Sequence, residues 1–189
     1  MRAFPTVIAI AFCSVAAAFA DEDLAARVDT SREVVKSFAG ALQKRLTAAM
    51  AAGGPTAAIK VCRIAAPDIA KEASEARDWR VGRTSLKLRN PANAPDAWEL
   101  AVLLDFEARK AAGEDPAMID HAEFVFSDGK RTFRYMKAIG TRQVCTACHG
   151  TGIAPEVAAT LDALYPEDRA RGFSVGDIRG AFTITQPAP

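Results

Sequence analysis

Phe124-Val125-Phe126-Ser127-Asp128-Gly129-Lys130-Arg131-Thr132-Phe133-Arg134-Tyr135 reads as two strands joined by a tight turn. Phe124 and Phe126 alternate with their neighbours, and Phe133, Tyr135 and Ala138 alternate on the return. A period of two puts every second side chain on one face of a strand. Asp-Gly supplies the left-handed backbone that a two-residue hairpin turn requires. Upstream of this hairpin the period is helical. Leu24, Val28, Val35, Phe38, Leu42, Leu46 and Ala49 recur at steps of three and four, which predicts a helix over 22–50. Gly53-Gly54-Pro55 ends that helix and starts a second, with Ile59, Cys62, Ala66 and Ile69 on one stripe. Pro67 is expected to interrupt the second helix, because its ring removes a backbone donor and disfavours helical geometry at Ala66. Residues 81–90 read as extended up to Asn90-Pro91, and Pro95 opens a helix to about Ala112 with Trp98, Val102 and Phe106 inward. Asp115-Pro116 caps a short turn. Downstream, 155–164 reads as a short helix, and Ala181 to Thr185 as a last strand. Helices first and antiparallel strands later imply an α+β domain with the sheet packed on the helices.

The chain has 189 residues, half of them hydrophobic and 25% charged, enough for one domain with its own core. Lys+Arg 24 against Asp+Glu 23 gives no basic excess for a sequence-independent grip on nucleic acid. With 7% aromatic residues, any base-stacking platform would be sparse. No nucleophile–base pair, phosphate loop or carboxylate constellation calls for catalysis, so an enzyme is not expected.

Residues 1–20 read as a cleaved secretory signal peptide. Arg2 is the only charge before Asp21, Val7 to Phe19 is apolar and small, and Ala18-Phe19-Ala20 is an A-x-A site. The apolar run is shorter than the roughly 18–20 residues a bilayer span needs, which disfavours an uncleaved anchor. Phe12 before Cys13 is too bulky for lipid attachment. Cleavage removes Arg2 and Cys13 and leaves Cys62, Cys145 and Cys148 in residues 21–189, read as a single domain. With no further segment long enough to span a membrane, the product is expected to be soluble and periplasmic.

An odd cysteine in an oxidising compartment needs a reason. Cys145-Thr146-Ala147-Cys148-His149 supplies one, because C-x-x-C-H is the attachment motif of c-type haem. Two thiols reach two vinyl groups on one porphyrin edge, and the histidine next to the second thiol becomes the proximal iron ligand. One haem c, covalent through Cys145 and Cys148, is therefore expected. A thioredoxin-type pair would open a helix after a strand in an α/β unit, and Gly150-Thr151-Gly152 opposes a long helix here. A zinc site would need a fourth ligand. A plain disulfide would leave His149 without a role.

Several segments in order resemble one family: Ala58-Ile59-Lys60-Val61-Cys62 with Ala66-Pro67, Gly82-Arg83-Thr84-Ser85, and Leu88-Arg89-Asn90-Pro91 followed by Asn93, Pro95 and Glu99. The hairpin, Cys145 to Gly150, Tyr165 to Ala170 and Gly176 to Ala181 complete the series. The chain resembles the monohaem c-type, PAS-like haem domains known as Tll-like, long catalogued as a domain of unknown function. The resemblance covers essentially all of residues 21–189, and the order of its pieces is more specific than any one of them. It implies a PAS-like antiparallel sheet flanked by helices and a haem iron held by a histidine and a cysteine. One position departs: Thr146 stands where a larger apolar side chain is expected, which bears on local packing and not on attachment.

Candidates for the sixth ligand are Cys62, His121, Met50, Met118 and Met136. Methionine or histidine is commoner in small cytochromes c. Met136 also reads as core filler, His121 as part of a polar surface turn, and Cys62 as either a buried inert thiol or a ligand. The resemblance implies Cys62, with His149 opposite. Arg83, Arg89 and Asn90 lie in a segment that the resemblance places close to haem. They carry two readings, propionate contacts or structural hydrogen bonds, as does Arg179.

Two functional classes follow: a carrier of single electrons for an exported redox protein, and a haem-based redox or gas sensor. The last strand stands close to Pro189, so a sensor would work through a separate partner. The carrier is the expected role.

Overall fold

The computed structural model describes residues 13–127 and 129–188. Residues 1–12 of the predicted signal peptide, and Asp128 of the predicted turn, lie outside the described residues. Helix α1 (Cys13–Glu75) opens the described chain and passes Ala20, the expected cleavage position. It is two arms joined at Gly53 and Gly54, as the glycine pair implies. Gly54 has φ 69°, a conformation that glycine adopts without strain, and Pro55 starts the second arm. Among the described residues no helix is long and apolar enough to cross a membrane.

Pro67 departs from expectation. The second arm runs through it to Glu75 without leaving helical geometry. Pro67 and Arg63 are both exposed, so water can serve the carbonyl that the proline leaves without a donor. The packed faces on either side hold the arm in shape: Ile59 sits in a cluster with Val157 and Leu161, and Ile69 in one with Phe38 and Phe182.

Strands β1 (Arg80–Thr84), β2 (Asp120–Ser127), β3 (Lys130–Gly140) and β4 (Ile178–Pro187) form one antiparallel sheet in the order β1-β4-β3-β2. The predicted hairpin is β2–β3, with Phe124 opposite Phe133 and His121 opposite Met136. The extended segment expected over 81–90 is shorter. β1 ends at Thr84, and Asn90 caps a 3-10 turn at Pro91–Asn93 by accepting from Ala92 N–H at 3.1 Å. Phe126 alternates with its neighbours but is 74% exposed at the hairpin tip.

Both faces of the sheet are covered. The two arms of α1 lie on one face, where Val34, Val35, Phe38 and Ile69 meet Phe133, Tyr135, Phe182 and Ile184. Helix α2 (Ala97–Ala111) covers the other, where Val102, Leu103 and Phe106 meet Met136, Ala138, Ile178 and Ala181. Alternate residues of β3 and β4 thus serve opposite cores, and the fold is α+β as expected. Asp96 and Glu99 form the capping box of α2, and Thr183 Oγ1 donates to the buried Glu99 at 2.7 Å. Arg32 and Tyr135 both donate to Asp120 at 3.0 Å, tying α1 to the hairpin.

Candidate functional site

Antiparallel pairing brings the exit of β1, the exit of β3 and the entry of β4 to one end of the sheet. Thr84 is opposite Ala181, and Ile139 is opposite Gly180 beside a bulge at Gly140. Each strand continues into a segment that carries candidate residues. β1 runs on to Ser85, Lys87 and Arg89, β3 to the C-x-x-C-H segment, and β4 is preceded by the 168–177 loop.

The C-x-x-C-H segment folds as a 3-10 turn, Gln143–Cys145, followed by the single helical turn α3 (Thr146–His149). Gly150 closes it by donating to Thr146 O at 2.9 Å. There is no long helix, in line with the glycines that follow. The 170–173 segment runs alongside: Gly172 N–H donates to Gly150 O at 3.0 Å and Phe173 N–H to His149 O at 2.9 Å.

His149 sits in a polar cradle. Nδ1 lies 2.7 Å from Ala170 O, a contact that requires the proton on Nδ1 and leaves Nε2 as the acceptor nitrogen of the ring. Arg179 Nε stands 3.1 Å from the same Nδ1 and Arg89 Nη1 3.4 Å from Nε2, while the Phe173 ring meets the imidazole edge to face. One nitrogen cannot donate to Ala170 and also accept from Arg179, and the shorter contact with a carbonyl decides for donation. Burial, with the charges of Arg179 and Arg89, pushes His149 down to about 3, so the ring is neutral.

Arg89 is the hub of the cradle. It donates to Cys148 O at 2.6 Å and pairs in a fork with Asp168, Nε to Oδ1 and Nη2 to Oδ2, both at 3.1 Å. Asp168 also accepts from Ala170 N–H and Arg171 Nε, each at 2.9 Å. Burial alone would raise the Asp168 carboxyl, but the hydrogen bonds from Arg89 and Arg171 hold it below the usual range. Arg179 Nη1 donates to Ser85 Oγ at 3.1 Å and Lys87 O at 3.2 Å. Burial, with repulsion from Arg89 and Arg83, lowers Arg179 to about 10.

Cys62 comes in from the second arm of α1. Helix α4 (Pro155–Leu164) docks on that arm, and Ile59, three residues before Cys62, packs with Val157 and Leu161 in a cluster that Cys148 and Tyr165 border. Burial pushes the Cys62 thiol up, and the positive charges of Arg83 and Arg89 oppose that shift. Burial likewise raises Cys148. Cys62, Cys145 and Cys148 are all free thiols. Among the described residues no three His, Cys, Asp or Glu side chains gather as a metal cage.

The other ligand candidates lie in different surroundings. Met136 is fully buried in the α2 core, and Met118 is 69% exposed. His121 stacks near Trp98 with its Nε2 3.3 Å from Glu123. Met50 is half-buried near the end of the first arm. Of the predicted polar contacts, Arg89 and Arg179 reach His149. Arg83 stacks over Phe38 at 5.9 Å without a hydrogen-bond or ion-pair partner among the described residues. Asn90 spends its side-chain oxygen on its own turn. Asp168, Ala170, Ser85 and Phe173 were not singled out from sequence. The only signal for Ser85, Asp168 and Ala170 is their place within the family-like segments, and Phe173 lies outside those segments.

The site thus holds a neutral, carbonyl-oriented imidazole beside two free thiols, with Arg83, Arg89 and Arg179 nearby. The Tll0287-like family model matches residues 14–187, and the chain belongs to that family. A solved relative, described as the crystal structure of the cyanobacterial heme-protein Tll0287, superposes with a TM-score of 0.65 at 27% identity. The match covers 86% of this chain and 96% of that one, in line with a PAS-like α+β architecture. Among curated proteins none matches the chain significantly.

Proposed function

We propose that this protein is an exported, periplasmic monohaem c-type cytochrome that passes single electrons to an exported redox partner. Its residues fit haem c. Cys145 and Cys148 are free and spaced for two thioether bonds. His149 is neutral and presents Nε2 because Nδ1 is tied to Ala170 O. Hydrogen bonding of the second ring nitrogen to a carbonyl is the usual way a ligating histidine is oriented. The cluster of Arg83, Arg89 and Arg179 suits a group carrying two carboxylates. Membership of a family with a heme-protein relative supports the same reading.

Haem c would supply a one-electron centre, and the chain's part is to hold it, ligate it and set its surroundings. In this proposal His149 and Cys62 would be the two side chains that hold the iron. Cys62 is supported by the packing of its helix arm on the cluster that Cys148 borders, and by the placement of Met136 and His121 in other surroundings. The role is that of a carrier and not of an enzyme.

The observation that carries the proposal is the His149 cradle at the end of the C-x-x-C-H turn. The test is expression of the full chain with a cytochrome c maturation system, followed by acid-acetone extraction and optical spectra. The parent is expected to keep its haem through extraction. Cys145→Ala with Cys148→Ala is expected to lose it, and haem that resists extraction in the double variant would overturn the assignment.

A further inference from the structure

We infer that Asp168 is a positioning residue that fixes the orientation of the His149 imidazole through Arg89 and Ala170. The inference rests on the reading of His149 as a haem ligand. Asp168 is 1% exposed at its side chain, and its carboxylate engages four donors. A buried carboxylate is costly unless its lone pairs are satisfied, and here each oxygen accepts two hydrogen bonds. The donors belong to separate parts of the cradle. Arg89 follows β1, while Ala170 and Arg171 belong to the loop before β4.

Besides the direct approach of Arg89 Nη1 to Nε2 at 3.4 Å, two chains of contacts run from this carboxylate to the imidazole. In the first, Oδ1 holds Ala170 N–H at 2.9 Å and so fixes the peptide whose carbonyl meets Nδ1 at 2.7 Å. In the second, the fork onto Arg89 aims Nη2 at Cys148 O, 2.6 Å away, and so holds the backbone directly before His149. The ring is thus located at its backbone and at Nδ1 by one carboxylate. Neither chain needs the thiols of Cys145 or Cys148, so orientation and attachment are separable.

The test compares haem-loaded Asp168→Asn and Arg89→Lys with the parent by ferric EPR and by redox titration. Asp168→Asn removes the charge and replaces one acceptor oxygen with a donor that faces guanidinium. Covalent haem is expected to persist, the EPR lines to broaden and shift as the imidazole samples more orientations, and the potential to rise. The rise follows because a weaker Nδ1 hydrogen bond makes a poorer donor to ferric iron, and a negative charge is lost. Arg89→Lys keeps the charge but cannot span the fork. It is expected to reproduce the EPR change, so the test survives if Asp168→Asn fails to fold. Parent-like EPR lines in both variants would overturn the inference, and so would a shift in potential without a change in EPR, which a bare charge would produce. His149→Ala is the separate control: a low-spin spectrum that survives it overturns the ligand assignment and not the positioning argument.

Discussion

Gly180→Ala, set against Gly172→Ala, measures how closely β1 and β4 approach at the mouth of the site. Both glycines have positive φ, 152° at Gly180 and 80° at Gly172, so alanine is strained at either position. Their surroundings differ. A Cβ on Gly172 meets nothing within 4 Å, whereas on Gly180 it falls 2.4 Å from Thr84 O and 2.9 Å from Ser85 Cβ. Comfortable separation of such atoms is about 3.5 Å or more, so the overlap with Thr84 is on the order of 1 Å. The Thr84 oxygen is backbone within the β1–β4 ladder and cannot turn aside. Gly172→Ala is expected to cost about 1–2 kcal/mol, the conformational term alone. Gly180→Ala adds an overpacking term of about 1–3 kcal/mol to a similar strain, for a total of about 2–5 kcal/mol. At about 2–4 °C per kcal/mol for a chain of this size, Tm should fall by roughly 4–20 °C for Gly180→Ala and roughly 2–8 °C for Gly172→Ala, with the larger fall at Gly180. Thermal unfolding followed by far-UV circular dichroism gives both numbers. Equal falls would refute the close approach of the two strands.

Cys62→Ser is expected to leave haem covalently bound while the reduction potential rises and the ferric EPR signature changes, since axial-ligand identity moves haem potentials over roughly 0.8 V. Parent-like EPR and potential would make Cys62 only a buried thiol. Asp96→Asn tests the charge network at the start of α2. Burial would raise the Asp96 carboxyl, but hydrogen bonds from Arg134 and Glu99 N–H hold it below its ordinary value. A depressed folded pKa contributes stability that is present above the unfolded value, about 4, and is lost as pH falls through the folded one. The Tm deficit of Asp96→Asn should therefore be full at pH 7 and close below about pH 4, and a deficit constant down to about pH 2 would refute the pairing.

Features legible in the sequence are those whose cause is local. Gly53-Gly54-Pro55 breaks α1 because backbone freedom and a missing donor act where they stand. Pro95 announces the start of α2 within one residue of its Asp96 cap. The C-x-x-C-H turn is legible because its chemistry fixes its spacing. Pro67 misled because the penalty it carries is local, while the packing of Ile59 and Ile69 that outweighs it is tertiary. β3 is buried on both faces: Phe133 and Tyr135 serve the α1 core as their alternation implies, but Ala138, expected to alternate with them, is three residues past Tyr135 and joins Met136 in the α2 core. The Arg89–Asp168 fork joins residues 79 apart, and no pattern in either segment announces the other.

The second arm of α1 is gripped at Ile59 by α4 and at Ile69 by the sheet, with Cys62 between the two grips. A helix advances about 100° per residue, from 3.6 residues per turn, so these grips set the angular phase of Cys62 about the arm's axis. One residue inserted or deleted between the grips would break that phase and swing either the thiol or one of the anchors to another face. The same change at the Gly53-Gly54 joint would be absorbed, because the backbone there is already non-helical. The arm thus behaves as a keyed shaft, intolerant of length changes over 59–69 and forgiving at its joint.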